Sequence, residues 1–516
     1  MTNMHIIRTA LWASLAAVSM IAPAHAQKSA DTIRMSIINM FSVVDPYHFL
    51  VDENGQFFRT IYQPLIDFDE HKQRFVPTLA RSWVRIDNTT LEFELRDDVT
   101  FHNGNKFTAD DVIATVDYIT DPKTQLRSKQ NYDWARAEKI GPYKIRIHAK
   151  EPFAFDLSAL AYRFKILDGK VLAGLETKAD YGRVAPVATG PYKINYVDRN
   201  KGIQVERFDG LVAGKGYYRA PVKFVQGLPI ADRQTQQAQL LTGGIDLLRN
   251  ITGDDAAELA KVPNLKVTPT VSANLLYVTL DAAGRSENKA FKDERLRKAF
   301  IMAIDRENLV RNIVPGGEIA ELPKAICFKD TTGCAPTTNV YAYNPAEAKR
   351  LVAEAGHSDG VDLVLYASQP VAYIAQAIAG EVRKVGIRAS VQPLQAVTYT
   401  KKRDDGELTA FINYYPTIIE PDVKNLLNWF FNDSRDYADD KIIADAFKGA
   451  LTEFDLAKRA KIYAPALDVI NTKAYVLPLT ELPMVWAHTQ DVKILKNPLS
   501  AGEIRVGDWA WTDYKE

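Results

Sequence analysis

Residues 76–120 read VPTLARSWVRIDNTTLEFELRDDVTFHNGNKFTADDVIATVDYIT, and the rest of the chain is organised around them. The run divides into loop, strand, turn, short strand, turn and helix. Leu91, Phe93 and Leu95 alternate with Glu92, Glu94 and Arg96, the period of a half-buried strand. Asp87-Asn88 before it is turn chemistry, and Phe101-His102-Asn103-Gly104 closes a second extended piece at a glycine. Thr108 and Asp111 stand at capping-box spacing, and Val112, Ile113, Val116 and Ile119 then share one helical face. Local physics predicts a compact strand-and-helix scaffold here and no chemistry.

The same residues resemble the signature of the family 5 extracellular solute-binding proteins, the dipeptide-, oligopeptide- and nickel-binding components of ABC importers. Its successive parts are matched by Pro77 to Trp83, by Phe93 to Gly104 and by Thr108 to Val112. Other segments agree. Thr189-Gly190-Pro191-Tyr192 resembles the family's Gly-Pro turn, with no Gly-Lys-Ser/Thr after it to suggest a phosphate cradle. Arg233 to Asp246 and Arg297 to Arg306 resemble two further family segments, with Lys298 where glutamine is usual.

The resemblance implies an α/β, two-lobed periplasmic-binding-protein-like fold of the class II, cluster C type, with an extra subdomain in the first lobe. On that plan residues 1–26 are a signal peptide and 27–70 open the first lobe. Residues 71–187 form its extra subdomain and 188–275 continue it. Residues 276–484 form the second lobe, and 485–516 return to the first. A chain of 516 residues exceeds one hydrophobic core, which fits several units. The pattern of 361–367, 370–384 and 387–393 reads strand, helix, strand, a parallel crossover unit. Asp293 and Asn344 are expected to cap helices.

Ala10 to Ala22 is apolar but short for a membrane span, and Ala24-His25-Ala26 is a small-x-small cleavage site before Gln27. The residue directly after it is Gln27 and not a cysteine, so a freely diffusing periplasmic protein is expected, without a lipid anchor. Lys plus Arg and Asp plus Glu each number 64, so the formal charge is zero and a bulk basic surface for nucleic acid is not indicated. Cys327 and Cys334 lie close together in a loop, and an oxidising compartment favours a disulfide over a two-thiol metal site.

Catalytic signatures do not emerge. His48, His71, His102, His148, His357 and His488 are dispersed without metal-ligand spacing, and neither a nucleophile elbow nor a dinucleotide glycine pattern is found. His102 is expected to make a structural hydrogen bond in its turn. No cofactor is expected. A secreted hydrolase on another α/β fold and a chaperone-like or sensory binding protein are the alternatives, the first disfavoured for want of a nucleophile motif.

For the ligand, the resemblance implies that the strand and loop before an acidic residue-Pro pair in the second lobe line the cleft. Here that pair is Glu420-Pro421, so Tyr414, Tyr415 and Thr417 are expected to face ligand. Trp134 occupies the place of a cleft aromatic, and Ser42 and Val43 follow the first strand, after which Asp45-Pro46 makes a turn. Gln369 and Tyr373 stand in the loop before the second-lobe helix. Peptide binders of the family often carry an Asp where this chain has Thr417, and an Arg where it has Ser368-Gln369-Pro370. Both terminal anchors of a free dipeptide are therefore missing at their usual places. A peptide or a related polar solute, an opine-like conjugate or a glycoside, is the expected ligand. An ABC permease is the expected partner of a monomer.

Overall fold

The computed structural model describes residues 28, 30–38, 43–47, 52–124, 126, 134–184, 186–249, 251–272, 274–335, 337, 341–416, 422–500 and 503–516. Two large mixed sheets dominate. The first has seven strands in the order Leu265–Thr270, Met484–Thr489, Leu247–Arg249, Thr32–Ile37, Phe224–Pro229, Gly202–Arg207, Tyr192–Asp198. Thr32–Ile37 pairs in parallel with both of its neighbours, and the remaining pairs are antiparallel. The second has five, in the order Ile387–Leu394, Val361–Ser368, Ala410–Pro416, Asn274–Leu280, Val476–Glu481. The expected parallel crossover is present: Val361–Ser368 pairs in parallel with Ile387–Leu394, joined through the helix Ala372–Arg383.

The chain passes between these sheets twice, from Thr270 to Asn274 and from Glu481 to Met484. The two crossovers are tied to each other. Leu482 donates its backbone N–H to Asn274 O at 2.7 Å, Ser272 Oγ donates to Leu482 O, and the Ser272 N–H reaches Glu481 Oε1 at 2.6 Å.

The signature run builds a third, four-stranded antiparallel sheet: Ala80–Arg85, Thr90–Leu95, Lys144–Ala149, Trp134–Gly141. Leu91, Phe93 and Leu95 are buried as their alternation predicts, and the Thr108–Asp111 capping box starts the helix Ala109–Thr120. Ala80–Arg85, read from sequence as loop, is a strand. A bulge between Ala80 and Ser82 breaks its alternation, and Val84 is 52% exposed, so the period-2 signal is erased.

The polar residues of the run hold the first lobe together. His102 donates its backbone N–H to Ala188 O at 2.8 Å, and its ring Nε2 lies 3.0 Å from Gly190 O. Burial pushes the imidazole down to about 4, so it is neutral and Nε2 carries the proton that bonds the carbonyl. Asn103 and Asn105 both donate to Asp168, which caps the helix Gly169–Gly174. At the other end of the chain, Trp486 and Trp509 are fully buried edge to face, with centroids 4.7 Å apart. The terminal strand pair is Trp509–Trp511 against Val492–Ile494, and Val506–Asp508 is a 3-10 turn. The helices Ala396–Asp404 and Val423–Phe431 were not anticipated from the sequence pattern.

Candidate functional site

A cavity of about 700 Å³ lies between the two large sheets, beside the paired crossovers. That volume falls within the usual range of ligand pockets, about 300–1,000 Å³. The second-lobe wall is built by Asn274, Pro370, Val371, Tyr373 and Tyr414. The first-lobe wall carries Ile38, Arg233, Ile251 and Asp254, and the return crossover adds Met484 and Val485.

The two tyrosines arrive by different local routes. Tyr414 lies on the central strand Ala410–Pro416, where successive side chains alternate between faces. Ile412 and Tyr414 pack on the core beneath the helix Ala372–Arg383, whereas Phe411 and Tyr415 belong to the opposite core. Tyr373 stands in the first turn of that helix, after the 3-10 turn Gln369–Val371, and is 44% exposed.

Of the expected site residues, the structure thus brings Tyr373 and Tyr414 together. Tyr415 points away, its ring 5.0 Å from Trp429 and 6.2 Å from Phe430. Trp134 is 1% exposed within the first-lobe core, edge-on to Phe164 at 6.3 Å, so it packs the core and does not line the cavity. Val43 is likewise buried and absent from the wall. Gln369 is exposed beside the wall but not part of it; its neighbour Pro370 is. Ser42, Thr417 and the Glu420-Pro421 pair lie outside the described residues.

Arg233, Asp254 and Asn274 were not anticipated. The Asp232 cap that starts the helix Arg233–Leu241 is a local signal, but which lobe surface that helix end meets is not. Cys327 and Cys334 are joined, with Cα atoms 5.8 Å apart. Their loop touches both lobes: Gln73 Nε2 donates to Asp330 O at 2.8 Å, and the Val423 N–H donates to Thr332 O at 3.1 Å.

Glu481, at the crossover, is the titratable group most changed by its surroundings here. Burial pushes its carboxyl from 4.5 up to about 7, with Glu321 adding repulsion and the Ser272 N–H opposing the shift. The folded state therefore holds a proton that the unfolded chain releases. Stability from this group is fully present below about 4.5 and is lost as pH rises through 7. Glu481→Gln is expected to flatten that dependence, making the variant more stable than the parent by roughly 2–3 kcal/mol at pH 8 and about equal at pH 4. Urea denaturation across pH tests it, and parallel curves for the two proteins would refute it.

Comparison with known proteins then places the chain. The family model for bacterial extracellular solute-binding proteins, family 5 (middle) matches residues 74–438, more than half of the 516. A glutathione-binding protein, GsiB, of Escherichia coli O1:K1 is 25% identical over 493 residues, covering 90% of this chain and 91% of the relative. The crystal structure of the ABC transporter substrate-binding protein CtaP from Listeria monocytogenes superposes with a TM-score of 0.81 at 19% identity, over 93% of this chain and 99% of that one. NikA from Brucella suis, solved in complex with Fe(III)-EDTA, gives 0.78 at 22% identity, over 92% and 98%.

The chain belongs to the family 5 extracellular solute-binding proteins and has their two-lobed α/β fold. By that family it is an extracellular solute-binding protein, a binding protein rather than an enzyme. Among the described residues no cluster of His, Cys, Asp and Glu is arranged to hold a metal, and no helix is long and apolar enough to cross a membrane.

Proposed function

We propose that this family member captures a short peptide or a closely related polar solute in the cavity flanked by Tyr373 and Tyr414, and delivers it as a monomer to its permease. The observation that carries the reading is the cavity itself: about 700 Å³, between the lobes, with two tyrosines on one wall and Arg233 and Asp254 on the other. Aromatic faces supply contact area at low entropic cost, and a few polar groups orient the solute. Relatives named as glutathione-binding proteins support a small peptide, since glutathione is itself a tripeptide.

Residues 1–26 serve in this reading as a signal peptide cleaved after Ala26. Lobe boundaries near 275 and 485 are proposed from the same plan, with 71–187 as the extra subdomain. Ser42 and Thr417 are retained as proposed ligand contacts. A second reading, an opine-like conjugate or a glycoside, is favoured by one specific observation. Thr417 and Ser368-Gln369-Pro370 stand where peptide binders of the family carry their charged anchors.

The test is the solute that co-purifies with the protein from a periplasmic extract, released by denaturation and identified by mass spectrometry. A peptide or amino-acid-derived solute is expected. Recovery of a lipid or a porphyrin would refute the reading.

A further inference from the structure

We propose that Arg233 is the carboxylate anchor of the cavity, so that the solute is one that presents a free carboxylate to the first lobe. This rests on the reading of the cavity as the ligand site. Among the described residues of the wall, Arg233 is the only cation, and Asp254 the only acid. Among the described residues the second-lobe side is uncharged: Asn274, the two tyrosines, Val371 and Pro370, the last within the Ser368-Gln369-Pro370 stretch where the family's peptide binders place an arginine. Among the described residues, a carboxylate entering this space therefore has one cationic partner.

Arg233 is held ready for that partner. It is the first residue of its helix, directly after Asp232, which accepts from the Thr235 N–H at 2.8 Å and from Thr235 Oγ1 at 2.6 Å. The side chain is 39% exposed. Its Nη1 is buried and makes no hydrogen bond, and the one described acid near it is Asp255, with Oδ2 at 3.5 Å. Asp255 is occupied elsewhere: Oδ2 accepts from the Thr252 N–H at 3.3 Å, and its own N–H donates to Thr252 Oγ1 at 3.2 Å, closing a capping box. The guanidinium is thus only partly neutralised by the protein, with its remaining donors available. A planar fork of N–H groups matches a carboxylate in two parallel bonds, a geometry that lysine cannot reproduce. Ile38, Ile251 and Val485 line the same cavity and add apolar surface to it, where a charge pairing is stronger than in bulk water.

The inference separates two properties that the cavity alone does not. Aromatic walls accept many solutes; a single guanidinium selects for the terminal group. A solute whose carboxylate is blocked loses the pairing and leaves the arginine desolvated without a counterion.

Synthetic tripeptide libraries, one as free acids and one as C-terminal amides, are incubated with ligand-stripped full-length protein, and bound members are identified by native mass spectrometry. The best binder is then measured by calorimetry in both forms on the parent, Arg233→Gln and Arg233→Lys. The acid is expected to bind about 10- to 100-fold more tightly than its amide, a loss typical of a hydrogen bond to a charged group. Arg233→Gln is expected to erase that preference by weakening the acid and sparing the amide, with an unchanged melting temperature; Arg233→Lys is expected to retain part of it. Equal binding of acid and amide to the parent, or a preference that survives in Arg233→Gln, overturns the assignment while leaving the cavity as the peptide site. Binding of neither library overturns the peptide reading beneath it, and the anchor with it.

Discussion

Replacing Phe155 with alanine is expected to weaken solute capture by about 10- to 100-fold while the protein remains folded, because the Phe155 ring is in contact with side chains of the other lobe. It stands between the strand Lys144–Ala149 and the helix Asp156–Tyr162, yet it is 0% exposed. Two second-lobe cations cover its ring, the Arg459 guanidinium at 4.2 Å and the Lys424 ammonium at 4.3 Å from the centroid. Beside it, the Ala154 N–H donates to Leu451 O at 3.1 Å, and Arg85 lies 4.3 Å over the ring of Phe454. The prediction follows from a hinged closure in which these contacts form only in the closed state, the crossovers at 270–274 and 481–484 joining the lobes in both.

The burial of one aromatic side chain contributes about 1.5–3 kcal/mol, and each cation over its face about 0.5–2 kcal/mol. Removing them lowers the population of the closed form, and apparent affinity falls by the same factor. Calorimetry with the co-purified solute measures the loss, and small-angle scattering reports whether the solute still compacts the protein. A dissociation constant equal to the parent's would show that Phe155 does not contribute to closure.

The second large effect is on stability. Asp422→Ala is expected to destabilise the protein by about 3–5 kcal/mol, the usual result of breaking a buried ion pair from one side. Asp422 and Arg459 are each 3% exposed, with Oδ2 and Nη1 3.6 Å apart. Oδ1 of Asp422 accepts from the Lys424 N–H, capping the helix Val423–Phe431, and from the Tyr463 hydroxyl, both at 2.8 Å. Alanine removes the cap, leaves the tyrosine hydroxyl without this acceptor and strands the arginine. Asp422→Asn keeps an acceptor at Oδ1 and is expected to lose less, the difference reporting the charge. Arg459 also covers Phe155, so the Asp422 and Phe155 substitutions are expected not to add. Chemical denaturation of the single and double variants tests both points. Strict additivity would separate the ion pair from the interlobe contact, and a parental midpoint for Asp422→Ala would remove the pair as a source of stability.

Much of the fold was legible in the sequence because its signals are short-ranged. The Thr90–Leu95 alternation, the Thr108–Asp111 capping box, the Asp293 and Asn344 caps and the crossover unit at 361–394 each depend on residues a few positions apart, and each is present. The signature run also identified the family, although its conspicuous polar residues prove to be internal fastenings. His102 fastens its turn to Gly190, and Asn103 and Asn105 hold a helix cap. Where a bulge broke the local period, at Ala80–Arg85, the strand was missed.

The lining of the cavity was legible in part. Tyr373 and Tyr414 could be named from their places in the pattern, but Tyr415, adjacent in sequence and identical in chemistry, faces Trp429 on the other side of the sheet. That choice is made by strand register, since a shift of one residue exchanges the two faces. Trp134 is a large aromatic that either a cleft or a core would accept, and the third sheet buries it. Arg233 and Asp254 gave no signal as wall residues, because nothing local to their helices says which surface lies opposite.

The sequence by itself thus determined the family, the two-lobed α/β plan, most strands and caps, and the absence of any recognisable catalytic motif. Only the tertiary structure decided which side chains share the space between the lobes. Propensity, capping and alternation act over a few residues, but the cavity is made by two sheets that the chain joins through two separate crossovers. Residues as distant as Arg233 and Tyr414 meet across it because of where those sheets are held, and no local pattern in either segment encodes that placement.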